Sequence, residues 1–204
     1  MKVILWLIMI AIPSIGVCDD RVRTESIATF NTNCARCHEG ECSGRMTFHM
    51  SKDVADQHIQ RHTGKLSQEI YQELHELLHY MKVECSYYPL DLALSDDGFW
   101  SENQLSPLRS HTGKAYFIPL GTLQPNSYNL SFSGPHDSAR LCVEIINDEF
   151  DFIEKMTLKS DDDNTVLNYQ VDESGKYYLR ISAQISFNIN NIEIILKDNT
   201  SLTD

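Results

Sequence analysis

The sequence predicts an α + β chain in two domains: a small all-α domain, then an antiparallel β-sandwich or jelly roll. Three observations carry this. Apolar residues recur at three- and four-residue spacing between Leu66 and Met81, the period of a helix with one buried face. Beyond residue 113 the pattern changes to short runs rich in β-branched and aromatic residues, separated by turn signals. Between the two, Pro89, Asp96-Asp97-Gly98 and Pro107 interrupt any regular period.

The chain opens on MKVILWLIMIAIPSIGVC. Lys2 precedes an apolar run from Val3 to Ile12 that is too short for a spanning helix, and Ser14 and Gly16 suit cleavage before Val17. We expect a signal peptide over 1–16, a periplasmic or secreted location, and no stable membrane span after processing. Thr24 to Thr32 reads as a short helix with Ile27 and Phe30 inward. Ser51 is a candidate N-cap for Lys52 to His62, which Gly64 ends. From Ser67 to Lys82, Ile70, Leu74, Leu77, Leu78 and Met81 form the apolar stripe, and Glu69 adds the acidic first turn that a helix dipole favours. The helical domain therefore spans 17–85, and a connector over 86–112 is apolar enough to pack along the second domain. Seven strands are expected in a sandwich over 113–198: Ala115 to Leu120, Tyr128 to Ser133, Arg140 to Ile146, Lys155 to Lys159, Val166 to Val171, Lys176 to Ala183 and Asn191 to Leu196. Residues 199–204 are a tail.

The formal charge is −12, and most of the acidic excess lies beyond residue 90. Such a chain suits neither nucleic acid nor an anionic membrane surface. A redox partner protein with a basic docking surface is the more natural complement.

One string carries specific chemistry. Cys34-Ala35-Arg36-Cys37-His38 fits C-x-x-C-H, the pattern of c-type haem attachment. There the two sulfurs join the porphyrin vinyl groups and the adjacent histidine becomes the proximal iron ligand. A short-loop disulfide or half a zinc site is the competing reading. Zinc needs about four ligands, and Cys42 alone near the motif does not make a paired knuckle.

The helix before CARCH and the segment LSQEIYQELHELLHYM from Leu66 give the region 20–83 an arrangement that resembles a class I cytochrome c. The resemblance implies a small all-α cytochrome c fold and one covalently attached haem c. Cys34 and Cys37 would be its thioether links and His38 its proximal ligand. Members of that family commonly supply a methionine from the loop before the closing helix, and none stands there. The string DQHIQRHTG instead offers His58, the first choice for the distal ligand, with His62 four residues on. Met81 is the other alternative, although it also continues the apolar stripe. Met46, His49 and Met50 are further candidates.

Cys42 and Cys85 flank the intervening loop and the closing helix. In an oxidising compartment they form a candidate disulfide. Cys142, in RLCVEII, reads as a small buried apolar residue. His75, Glu76 and His79 spell H-E-L-L-H, which matches the zinc-protease pattern but sits on a helix already explained by its stripe. Asp161-Asp162-Asp163-Asn164 is a hairpin tip with oxygen ligands suited to calcium. The sandwich segment loosely resembles the pre-peptidase C-terminal domain family in its Y-x-L and G-x-Y-Y-L-x-I strings, and no binding residue is carried over from that.

The expectation is thus an exported monohaem c-type cytochrome that transfers electrons, not an enzyme, with the sandwich for docking or assembly. The alternative is a haem-based small-ligand sensor, or an enzyme subunit, with an open iron site. A binding module built on the sandwich is the third reading.

Overall fold

The computed structural model describes residues 22–39, 51–90, 92, 98–134, 140–159 and 164–197. The signal segment, Cys42, Met46, His49, Met50 and the acidic run 161–163 lie outside the described residues.

Among the described residues, the sandwich consists of two four-stranded antiparallel sheets. The seven expected strands are β2 (Ala115–Leu123), β3 (Asn126–Ser133), β4 (Arg140–Asn147), β5 (Phe152–Lys159), β6 (Asn164–Val171), β7 (Gly175–Ala183) and β8 (Asn191–Leu196). An eighth, β1 (Phe99–Ser101), comes from the stretch expected to be a connector. It pairs with β8, Trp100 opposite Ile192, and sends Trp100 into the core. Gly98 sets up this entry at φ +72°, where a Cβ would stand 2.7 Å from the Ile194 carbonyl oxygen. A helical turn α5 (Glu102–Leu105) and the 3₁₀ turn Ser106–Leu108 then bury Leu105 and Leu108 in the same core. The sheet orders are β1-β8-β3-β6 and β2-β7-β4-β5. Eight strands divided this way give a jelly-roll order.

Alternation within the second sheet decides what covers it. Val143 and Ile145 of β4 and Leu179 and Ile181 of β7 point into the sandwich core. The residues between them face the other way. In register across the sheet, Phe117, Arg180, Glu144 and Lys155 form one row. Pro119, Tyr178 and Ile146 form the row two residues along, where Phe152 of β5 meets Ile146 across a register shift.

Helices cover that outer face. α1 (Thr24–Thr29) runs through a π-helical stretch (Phe30–Cys34) into α2 (Ala35–His38). The π stretch loosens the ordinary hydrogen-bond ladder. Thr32 Oγ1 donates to the Ala28 carbonyl at 2.7 Å and Asn33 Nδ2 to the Thr29 carbonyl at 3.1 Å, meeting backbone oxygens there. α3 (Lys52–Thr63) ends at Gly64, whose φ of +80° favours glycine. α4 (Gln68–Glu84) is capped by Ser67, which accepts from the Ile70 amide, and stops at Cys85 in left-handed backbone. Arg23 Nε bonds Glu73 at 2.8 Å and Ser26 also donates to it, fastening the start of α1 to α4.

The helical core gathers Ile27, Phe30, Ile70, Leu74, Leu77 and Met81, and it also takes in Phe117 from β2 and Ile146 from β4. Here the structure departs from the expected domain pair. A free-standing all-α cytochrome fold is not evident among the described residues, because the helical layer finishes its apolar packing on the sheet beneath it.

Candidate functional site

The motif helix lies against the sandwich through charges as well as apolar contacts. Arg36, between the two motif cysteines, donates to Glu144 of β4 through Nη2 at 2.6 Å and Nε at 3.2 Å. Glu39, directly after the motif, is buried and pairs with Arg180 of β7, a fully buried arginine. Arg180 Nη1 reaches Glu144 at 3.3 Å, and Lys155 reaches Glu144 at 3.0 Å. Tyr87 donates to Glu39 at 2.6 Å. Burial pushes the Tyr87 phenol up, so it stays a neutral donor. Burial alone would raise the Glu144 carboxyl, but the bonds from Arg36 and Lys155 outweigh it and hold it below the usual carboxylate range. The Tyr87 ring also packs 5.0 Å from Phe117 and 4.8 Å from both Phe150 and Tyr178, which makes it the apolar peg of the same junction.

The two motif sulfurs differ in exposure. Cys37 is exposed, Cys34 is intermediate, and both are free thiols. Desolvation of the Cys34 sulfur, with Cys37 beside it, pushes its pKa up to about 12. A catalytic dithiol needs the opposite shift, toward a thiolate at neutral pH.

His38 is held by its backbone: the buried Lys82 of α4 donates to its carbonyl at 3.2 Å. Its imidazole lies 6.5 Å from that of His58, centroid to centroid, with ring planes at 74°. Two imidazoles bound at about 2 Å on opposite sides of one metal ion hold their centroids roughly 6–6.5 Å apart. At this spacing and angle the two rings form an edge-on pair, and the same separation is compatible with two imidazoles on one metal ion. His62 sits one turn further along α3, 4.9 Å from His58. Met81, the other distal alternative, is 1 % exposed within the helical core. Cys34 and Cys37 are the thiols, and His38 and His58 the imidazoles, that would hold a c-type haem if one is bound.

The remaining candidates are dispersed. His75 bonds Asp56 at 3.4 Å. Among the described residues no group of three or more histidine, cysteine or acidic side chains could hold a metal ion, so H-E-L-L-H gathers no zinc site there. Cys142 is half-buried rather than fully buried, with its sulfur 3.7 Å from Arg36 Nη2. It belongs to the outward row of β4, beside the motif helix. The Cys42–Cys85 pair and the calcium run cannot be placed, since Cys42 and residues 161–163 are outside the described residues. The charge network linking Glu39, Glu144 and Arg180 was not anticipated from sequence.

No family model and no curated protein matches the chain. Among solved structures, it is similar to the pre-peptidase C-terminal domain of collagenase from Bacillus anthracis, at 13 % identity over 48 % of this chain and 85 % of that one, with a TM-score of 0.32. It is also similar to a family 35 carbohydrate binding module from Clostridium thermocellum, at 16 % identity over 42 % of this chain and 73 % of that one, with a TM-score of 0.31. No helix among the described residues is long and apolar enough to cross a membrane.

Proposed function

We propose that the chain is an exported monohaem c-type cytochrome that passes electrons between protein partners. Cys34 and Cys37 would carry the covalent links, and His38 and His58 would hold the iron. The observation that supports this most directly is the 6.5 Å separation of those two imidazoles beside a C-x-x-C-H motif. The haem supplies one-electron chemistry when bound. The protein's own part is to fix the ligands: Lys82 steadies the His38 carbonyl, and Arg180, through Glu39, holds the next residue against the sandwich. Two histidine ligands leave the reduction potential lower than a histidine–methionine pair would. The acidic surface suits a partner with a basic face, reached faster at low ionic strength.

The test is the purified full-length protein, made in cells competent for c-type haem attachment. We expect haem that survives denaturing electrophoresis, one per chain, with a c-type α-band. His58→Ala should change the axial-ligand spectrum, and Met81→Ala should leave its pattern intact. Iron-free protein with two alkylatable motif thiols would sink the proposal. The exposure of His58 favours a second reading, a sensor in which an external ligand displaces it. Rapid carbon monoxide binding to the reduced wild type would select that reading over simple electron transfer.

A further inference from the structure

A cavity of about 420 Å³ opens between the motif helix, the end of α3 and the sandwich. Asn33 and Arg36 of the motif helix, His62 of α3, and Lys114 and Ser182 of the sandwich contribute to its wall. Its size falls within the roughly 300–1,000 Å³ range of small-molecule sites.

The wall has an unusual charge for this molecule. In a chain of formal charge −12, the ionisable side chains lining the cavity among the described residues are Arg36, Lys114 and His62, all basic. The two buried carboxylates behind it do not cancel this. Glu39 and Glu144 are already met by three cations, Arg36, Lys155 and Arg180, so the network retains a positive surplus before Lys114 is counted. Lys114 is exposed and enters no ion pair with another described residue. Thr112 and Ser182 add hydroxyls that can donate beside a charge.

We infer that this cavity binds a small oxyanion, a phosphoryl or carboxylate group, with Lys114 as the principal charge and Arg36 and Ser182 orienting the oxygens. The inference does not rest on the haem reading, since the lining residues and their charges exist without it.

Titration of the full-length protein with inorganic phosphate and, separately, with succinate tests it, read by calorimetry at constant ionic strength in sodium chloride. Saturable binding of one equivalent of either anion is expected, weakened at least tenfold by Lys114→Met and several-fold by Ser182→Ala. Binding of phosphate alone identifies a phosphoryl ligand, and binding of succinate alone a carboxylate. Both variants lie at the cavity rim, and their far-ultraviolet circular dichroism should match wild type, which separates lost binding from lost folding. Absence of saturable binding to either probe at millimolar concentration would overturn the inference. So would Lys114→Met binding as tightly as wild type.

Discussion

Replacing Arg180 by methionine tests whether the helical layer and the sandwich are one cooperative unit. Arg180 has no exposed surface and bonds Glu39 next to the motif, Glu144 at 3.3 Å and the Tyr87 hydroxyl at 3.4 Å. Methionine keeps most of the volume and removes the charge. Glu144 retains Arg36 and Lys155, so its loss is partial. Glu39 loses its buried cation and keeps the Tyr87 donor. Breaking a buried pair from one side costs about 3–5 kcal/mol. Arg180 Nε is itself buried without a partner in the native protein, and deleting it offsets part of that cost. The expected loss is therefore about 3 kcal/mol, the lower end of that range. At roughly 2–4 °C per kcal/mol for a chain this long, the Tm should fall by about 6–12 °C. Urea unfolding followed by far-ultraviolet circular dichroism and by tryptophan fluorescence measures it. The transitions should remain coincident, because both layers share the contact. Glu39→Gln combined with Arg180→Met should cost less than the two single changes added together. A loss below about 1 kcal/mol, or separation into two transitions with the helical signal unchanged, would refute the argument.

Two more outcomes are expected from the same geometry. The Glu144 carboxyl is held below its ordinary value in the folded protein, so its contribution to stability is present above the unfolded pKa and is lost as pH falls through the folded one. Urea midpoints measured from pH 7 downward should drop below about pH 4.3 in wild type and fall less steeply in Glu144→Gln. With both motif thiols free, iodoacetamide at pH 8 should label exposed Cys37 well before Cys34, whose thiol is pushed up to about 12; mass spectrometry showing equal rates would contradict the desolvation of the Cys34 sulfur.

The strands were legible because short runs rich in β-branched and aromatic residues are bounded by turn signals, with clear alternation in β3, and all seven expected segments are strands. β1 was not, because three residues cannot display a period and Asp96-Asp97-Gly98 reads as a break. The shared core was harder. Glu144 and Arg180 occupy the polar side of alternating strands, where a sequence reading places solvent. The usable signal lay in β2: Ala115 to Leu120 is an almost unbroken apolar run, as expected of a strand covered on both faces. The spacing of Cys34, Cys37 and His38 is a property of the sequence itself, and their role stands as the proposal. The approach of His58 was partly legible, since the histidine pair stood at one-turn spacing, but its distance from His38 depends on how α3 folds back over the motif helix.

Glu39 and Arg180 are 141 residues apart in the chain. A polypeptide emerging from its N-terminus presents the motif long before it presents β7. Loop closure over that span is slow to be repaid, so the motif helix cannot take its final seat until nearly the whole chain has arrived. The seating of the motif helix on the sandwich is therefore a late event of folding, fixed by a partner from the far end of the chain.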